Sequence, residues 1–342
     1  MTSNGVSREI RLAARPVGAP KETDFELAEC PIPSPVEGEV LVRNVYMSVD
    51  PYMRARMSEV KSYAPSFRVG EAMTGGAVGQ VVESNSPLLE RGDWVNSLFG
   101  WREYYVADGS SLMKIDPELA PVSTALGVLG LTGLTAYFGL FEIGQPKGGE
   151  TVFVSAASGA VGSVVGQLAK ISNCRAVGSA GSKEKVRYAL EVGFDEAFNY
   201  KEVAVADALD RTCPNGIDIY FENVGGDHFD AALPRMRTFG RIALCGLISQ
   251  YNDRELRPGP NIVPALVNRL TIRGFIISDH FDRIPDFLRD MGQWVREGKV
   301  RYTETVVDGI ENAPKAFMDL FEGENLGKML VKLGPDPSRG ES

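Results

Sequence analysis

The sequence predicts an α/β fold, a doubly wound parallel sheet joined to a second, strand-rich domain. Three observations carry this. Residues 1–120 hold short β-branched runs separated by Gly, Pro, Asn and Ser clusters. From Thr151 onward strand and helix patterns alternate, as βαβ crossovers require. Between the first strand and helix of that alternation lies a tight small-residue turn, Ala157-Ser158-Gly159-Ala160-Val161-Gly162.

In the first region strands are expected over 38–45, 77–82, 93–97 and 103–106, forming a compact antiparallel domain. Pro31, Pro33 and Pro35 make 30–37 read as a stiff extended connector. Dense apolar residues over 122–144, with Leu134, Phe138 and Phe141 near helical spacing, predict a helix that Gly144 and Pro146 close. The alternating region then reads as strand 151–155, helix 161–171, strand 176–179, helix 183–192 and a strand ending near Tyr200. Strands over 217–221, 241–245 and 270–277 follow, with helices over 284–297 and 312–322. A last strand over 328–333 is expected to return to the first domain, and the polar tail 334–342 to fray.

Composition excludes several function classes. The 342 residues carry 36 basic and 45 acidic side chains, a formal net charge of −9, which argues against a nucleic-acid partner. No long apolar run marks a membrane span, and the start has no secretory pattern, so a cytoplasmic protein is expected. The four cysteines, Cys30, Cys174, Cys213 and Cys245, lie 32 or more residues apart. The two histidines, His228 and His280, are isolated. Such spacing suits buried small side chains and ordinary polar histidines better than zinc ligands, so no metal site is expected.

The turn at 157–162 is the most informative stretch. Ala157 stands where G-x-G-x-x-G has its first glycine. Gly159 lets the backbone approach a pyrophosphate, and Gly162 lets the helix pack closely. The helix N-terminus offers amides and partial positive charge to phosphates. An NAD enzyme typically places Asp or Glu about 20 residues further on, but here the chain reads Val177-Gly178-Ser179. Small residues and then Lys183 and Lys185 follow, favouring a 2′-phosphate and hence NADPH over NADH, with Tyr200 as a further donor. The competing reading makes the two lysines a solvated helix start.

On these residues the chain resembles the zinc-independent medium-chain dehydrogenase/reductases, and within them the prostaglandin reductase and 2-alkenal reductase group with its curcumin-reductase-like members. The motifs are Val49-Asp50-Pro51-Tyr52-Met53-Arg54, Gly130-Leu131-Thr132-Gly133-Leu134-Thr135-Ala136-Tyr137, the glycine turn itself, Phe221-Glu222-Asn223-Val224-Gly225-Gly226, Gly240-Arg241-Ile242-Ala243-Leu244-Cys245-Gly246 and Asn325-Leu326-Gly327-Lys328. The resemblance implies a GroES-like β domain from both chain ends, 1–126 and 311–342, and a central Rossmann domain, 127–310. It implies NADPH-dependent reduction of a carbon–carbon double bond conjugated to a carbonyl. By matched position, Gly159, Ala160, Val161 and Gly162 would hold the pyrophosphate, and Lys185 with Tyr200 the 2′-phosphate. Asn223, Cys245, Gly246, Ile248, Ser249 and Tyr251 would face the ribose or nicotinamide. Phe275, Ile276, Ile277 and Asn325 would flank the nicotinamide end. Zinc-dependent cousins carry Gly-His-Glu where this chain has Gly70-Glu71-Ala72.

One departure bears on mechanism. Mammalian prostaglandin reductases place a tyrosine before the last Rossmann strand, and 261–270 contains none here. Tyr52 and, second, Tyr251 match family tyrosines near the cleft and are the expected catalytic donors. A quinone oxidoreductase and a non-catalytic NADPH-binding protein are the competing readings. The hydrophobic strand 270–277 would end the Rossmann sheet, and pairing it with its twin predicts a homodimer.

Overall fold

The computed structural model describes residues 5–255 and 257–341. The chain forms two compact units, one reaching Gly127 and resuming over Glu304–Glu324 and from Met329, the other spanning Val128–Thr303 with Asn325–Lys328.

The first unit begins with strands the sequence pattern did not reveal. β1 (Val6–Leu12) and β2 (Phe25–Pro31) pair antiparallel, Val6 opposite Pro31 and Leu12 opposite Phe25. The expected connector therefore starts later than predicted: Cys30 and Pro31 belong to a two-stranded sheet, whose end tolerates a residue without an N–H. The larger antiparallel sheet contains β3 (Glu39–Ser48), β4 (Ala77–Ser84), β5 (Trp94–Ser97), β6 (Tyr104–Asp108) and β7 (Met113–Ile115).

The second unit is a Rossmann sheet. Its strands are β8 (Thr151–Val154), β9 (Arg175–Ala180), β10 (Glu196–Asn199), β11 (Ile217–Glu222), β12 (Met236–Leu244) and β13 (Thr271–Gly274). They lie in the order β10-β9-β8-β11-β12-β13, and all neighbours run parallel. The winding direction reverses between β8 and β11, so the crevice beyond their C-terminal ends is the ligand position of an open α/β sheet. The strand expected over 270–277 ends at Gly274, because Phe275 turns inward against Phe138 and Phe221, with ring centroids 5.8 and 6.4 Å apart.

The helix expected over 122–144 is three pieces: a 3₁₀ turn Val122–Leu126, an α-helix Leu131–Phe138 and a π-helical turn Gly139–Gly144. Glycines break it. Gly127 and Gly130 take non-helical dihedrals. A Cβ on Gly139 would lie 2.6 Å from the Phe221 ring and 2.8 Å from that of Phe275.

β14 (Glu304–Asp308) and β15 (Lys328–Lys332) complete the large sheet, β15 lying antiparallel on β3 with Leu330 opposite Ser48. The core beneath them stacks Phe25 on Trp101, with the Phe317 ring edge-on to both. The tail does not fray as expected. Asp336 is buried, accepts the Tyr46 hydroxyl at 3.1 Å, and caps the turn Pro337–Arg339 through Ser338.

Close approach of the helix Gly162–Ile171 to the Rossmann sheet depends on Phe194. Its ring is wedged between two glycines: a Cβ on Gly166 would fall 2.1 Å from it, and one on Gly178 3.0 Å. Gly166→Ala is expected to lose stability despite its better helix propensity, because the added methyl would overlap the buried Phe194 ring and force it to shift. Overpacking of this kind costs about 1–3 kcal/mol. Calorimetry should show a melting temperature lower by a few degrees, partly restored by adding Phe194→Leu.

Candidate active site

After β8 the chain turns through Ala156 in a left-handed conformation, φ 52°. The Ala157 N–H donates to the Ser179 carbonyl at 2.9 Å, and the Gly159 N–H to the Ala156 carbonyl at 3.0 Å. Ala157, in the place of the usual first glycine, is accommodated by a glycine opposite: a Cβ on Gly178 would lie 2.6 Å from the Ala157 methyl. Gly162 is obligatory, since its Cβ would meet the Ala156 carbonyl oxygen at 2.3 Å. A Cβ on Gly159 would meet only that same oxygen, at 3.3 Å, so its outer side is open. Ala160 and Val161 lead into the helix, where the Ser163 N–H donates to the Gly159 carbonyl and the Val164 and Val165 N–H groups donate to the Val161 carbonyl, so the positive end of the helix dipole lies at the turn. This open backbone cradle at a helix N-terminus fits a pyrophosphate.

Distant residues join the turn. The Gly327 N–H donates to the Ser158 carbonyl at 2.9 Å, and Gly327 bridges to Gly159. Asn325 braces this segment by donating to the Gly327 carbonyl at 2.8 Å.

Next to it, Ser182 caps the helix Lys183–Glu191 by accepting the Lys185 N–H at 3.2 Å. The Lys183 side chain is 84% exposed and lies 3.7 Å from Glu202, which suits the solvated role for that lysine. The Tyr200 N–H donates to the Ala180 carbonyl at 3.1 Å, and its hydroxyl lies 3.0 Å from where a Gly181 Cβ would stand. Tyr200 rests edge-on against His228, with centroids 4.8 Å apart. His228 is not the ordinary polar histidine expected. It is buried, its Nε2 has no partner among the described residues, and desolvation lowers its pKa to about 4.

At the ends of β11 and β12 three loops interlock. Asn223 donates its N–H to Ser155 Oγ and its Nδ2 to the Ser155 carbonyl, both at 2.8 Å. The Cys245 and Gly246 N–H groups donate to the Glu222 carbonyl at 3.0 and 3.1 Å. The Ile248 N–H donates to the Asn223 carbonyl, and Ser249 gives both N–H and hydroxyl to the Val224 carbonyl. Burial pushes the Cys245 thiol up to about 12, so it stays protonated and is no nucleophile. The Tyr251 hydroxyl accepts the Leu247 N–H at 3.2 Å and keeps its own proton to donate. Phe275 packs as described, Ile276 is extended, and Ile277 opens the 3₁₀ segment Ile277–Arg283 and packs on the core.

In the first unit Tyr52 follows the Asp50-Pro51 turn at the start of the short helix Met53–Arg56. The turn is closed by the Met53 N–H on the Asp50 carbonyl and anchored by buried Arg54, which donates to the Gly18 carbonyl at 2.8 Å. Burial and, next, the Asp50 charge raise the Tyr52 pKa, keeping the phenol protonated at neutral pH and suited to donating a hydrogen bond.

Comparison with known proteins now fixes the relationship. Residues 8–115 match the family model for the N-terminal domain of oxidoreductases, and residues 160–293 that for zinc-binding dehydrogenases. The NADPH-dependent curcumin reductase of Escherichia coli is 49% identical over 96% of this chain and 98% of its own length. The NADP⁺-dependent 2-alkenal reductase of Nicotiana tabacum is 46% identical over 95% and 97%. The chain belongs to the zinc-independent medium-chain reductase family of curcumin, 2-alkenal and prostaglandin reductases. The crystal structure of CurA from Vibrio vulnificus in complex with NADPH superposes with TM-score 0.93 at 48% identity, covering 96% of this chain and 100% of that one. Among the described residues no group of three or more His, Cys, Asp or Glu side chains could hold a metal ion.

Sequence reasoning missed Ser155, Glu222 and Gly181. The available signal was a polar residue closing an otherwise apolar strand, as in Thr151-Val152-Phe153-Val154-Ser155 and Ile219-Tyr220-Phe221-Glu222.

The low pKa of His228 has a measurable consequence. Its folded value lies below the unfolded 6.5, so its contribution to stability is complete above pH 6.5 and is lost as pH falls toward 4. The loss amounts to about 3 kcal/mol. Urea midpoints should fall more for wild type than for His228→Phe across this interval.

Proposed function

We propose that this protein uses NADPH to reduce the carbon–carbon double bond of α,β-unsaturated aldehydes and ketones. The observation that carries the reading is near-full-length similarity to reductases named for NADPH and for conjugated carbonyl substrates. Gly159, Ala160, Val161 and Gly162 would receive the pyrophosphate, and Lys185 and Tyr200 the 2′-phosphate. Asn223, Cys245, Gly246, Ile248, Ser249 and Tyr251 would serve the ribose and nicotinamide side, with Phe275, Ile276, Ile277 and Asn325 flanking it. When bound, the dihydronicotinamide supplies the hydride that adds to the β-carbon.

As that bond forms, negative charge builds on the substrate carbonyl oxygen. A preorganised donor aimed at such an oxygen typically lowers the barrier by about 3–4 kcal/mol. Tyr52 supplies that donor, and its raised pKa suits it to hold the proton rather than release it. Tyr251 is the second candidate. The α-carbon then takes a proton from a tyrosine or from water. The substrate's own carbonyl activates the alkene, so this chemistry requires no ligand histidine where the chain reads Gly70-Glu71-Ala72.

The same reading includes a homodimer in the cytoplasm. β13 is exposed along its length at the edge of the Rossmann sheet. The neighbouring helix Val263–Val267 leaves Leu266 80% exposed and Val263 and Val267 more than half exposed. An unpaired edge beside apolar side chains is covered when two copies pair β13 with β13.

An NADPH-oxidation panel of enals, enones, curcumin and quinones, with product masses identified, tests the reaction; turnover confined to quinones would refute it. Tyr52→Phe should lower kcat for enones by about tenfold or more with NADPH affinity unchanged. Lys185→Ala should raise the KM for NADPH far more than that for NADH, and equal effects would remove the phosphate assignment. Leu266→Glu should convert a dimer to a monomer in light scattering; a wild-type monomer would refute the assembly.

A further inference from the structure

The buried carboxyl of Glu222 lies beneath the strand ends that carry the candidate site. Glu222 is the last residue of β11 and has no exposed surface. Its Oε1 accepts the Ser155 hydroxyl at 2.7 Å and the Val224 N–H at 2.6 Å, while Oε2 accepts the Tyr220 hydroxyl. Ser155 spends its only proton on Glu222, leaving its oxygen as the acceptor for the Asn223 N–H. The Asn223 amide returns to the Ser155 carbonyl. One carboxyl thus ties the loop after β8 to the loop after β11. The backbone carbonyls of residues 222–224 then hold the loop after β12.

We infer that Glu222 is a positioning residue which, through Ser155, sets Asn223 and the 245–249 loop in place to receive the nicotinamide half of the dinucleotide. The inference rests on the cofactor reading above. It assigns no contact between Glu222 and cofactor. The adenosine end is assigned instead to Lys185, on the helix after β9, and to Tyr200, just beyond β10, rather than to the ends of β8 and β11 that Glu222 joins. The two halves of the ligand should therefore respond differently when the tie is cut.

Binding of NADPH and of adenosine 2′,5′-bisphosphate, measured by calorimetry without substrate, separates the cases. Ser155→Ala removes the bridge with little change in volume, and Glu222→Met removes every acceptor at similar size. Each should weaken NADPH by about tenfold, the loss of one or two buried hydrogen bonds, and leave the bisphosphate within about twofold. Glu222→Gln should recover most of the NADPH affinity, because its carbonyl oxygen can take the Oε1 position and its amide can donate to the Tyr220 oxygen. Equal losses for both ligands, or none for NADPH, would overturn the inference. If Glu222→Met fails to fold, Ser155→Ala alone decides. Lys185→Ala checks the underlying reading, since it should weaken both ligands; if it weakens neither, the cofactor assignment falls, whatever Ser155→Ala does.

Discussion

A fully buried carboxyl must be given donors where it stands, because leaving it unsatisfied costs more than an ordinary hydrogen bond returns. Glu222 receives them from Ser155, Tyr220 and Val224. The arrangement converts a solvation requirement into geometry: two strand ends separated by a crossover are held in one register. β8 and β11 are adjacent where the winding of the sheet reverses. Helices there diverge to opposite faces and leave a crevice. The carboxyl closes the C-terminal end of β11 at that reversal, bonded to Ser155 after β8 and, through it, to Asn223.

The second constraint is steric. A parallel sheet covered by helices needs close approach, and this chain obtains it with small residues facing large ones. Gly166 and Gly178 hold the Phe194 ring, Gly139 faces Phe221 and Phe275, and Gly162 lies on the Ala156 carbonyl. Ala157 in place of a glycine is tolerated for the same reason, since Gly178 removes the methyl it would otherwise strike. The same absence of side chains that lets the helix approach the sheet leaves the backbone of the glycine turn exposed at Gly159.

Local pattern revealed most of the strands and helices, because alternation and 3.6-residue periodicity are written in consecutive residues. It missed β1 and β2, whose pairing joins residues on either side of a long loop. It also overextended the helix over 122–144, where Gly127 and Gly130 take non-helical dihedrals and Gly139 lies against Phe221 and Phe275, far away in the chain. The tail was misread because Asp336, polar and near the end, finds Tyr46 only in the folded sheet.

The candidate site divides in the same way. The sequence by itself determined the glycine turn, the missing acid after β9, the lysines behind Ser182 and the family motifs. Each is a contiguous run whose chemistry follows from spacing. Only the tertiary structure decided that Asn325 and Gly327 lie on the glycine turn, that Ser155 and Glu222 bind Asn223, and that His228 is buried under Tyr200. Those relations depend on which strands become neighbours. Strand order is set by the packing of the whole sheet, and no window of consecutive residues contains it.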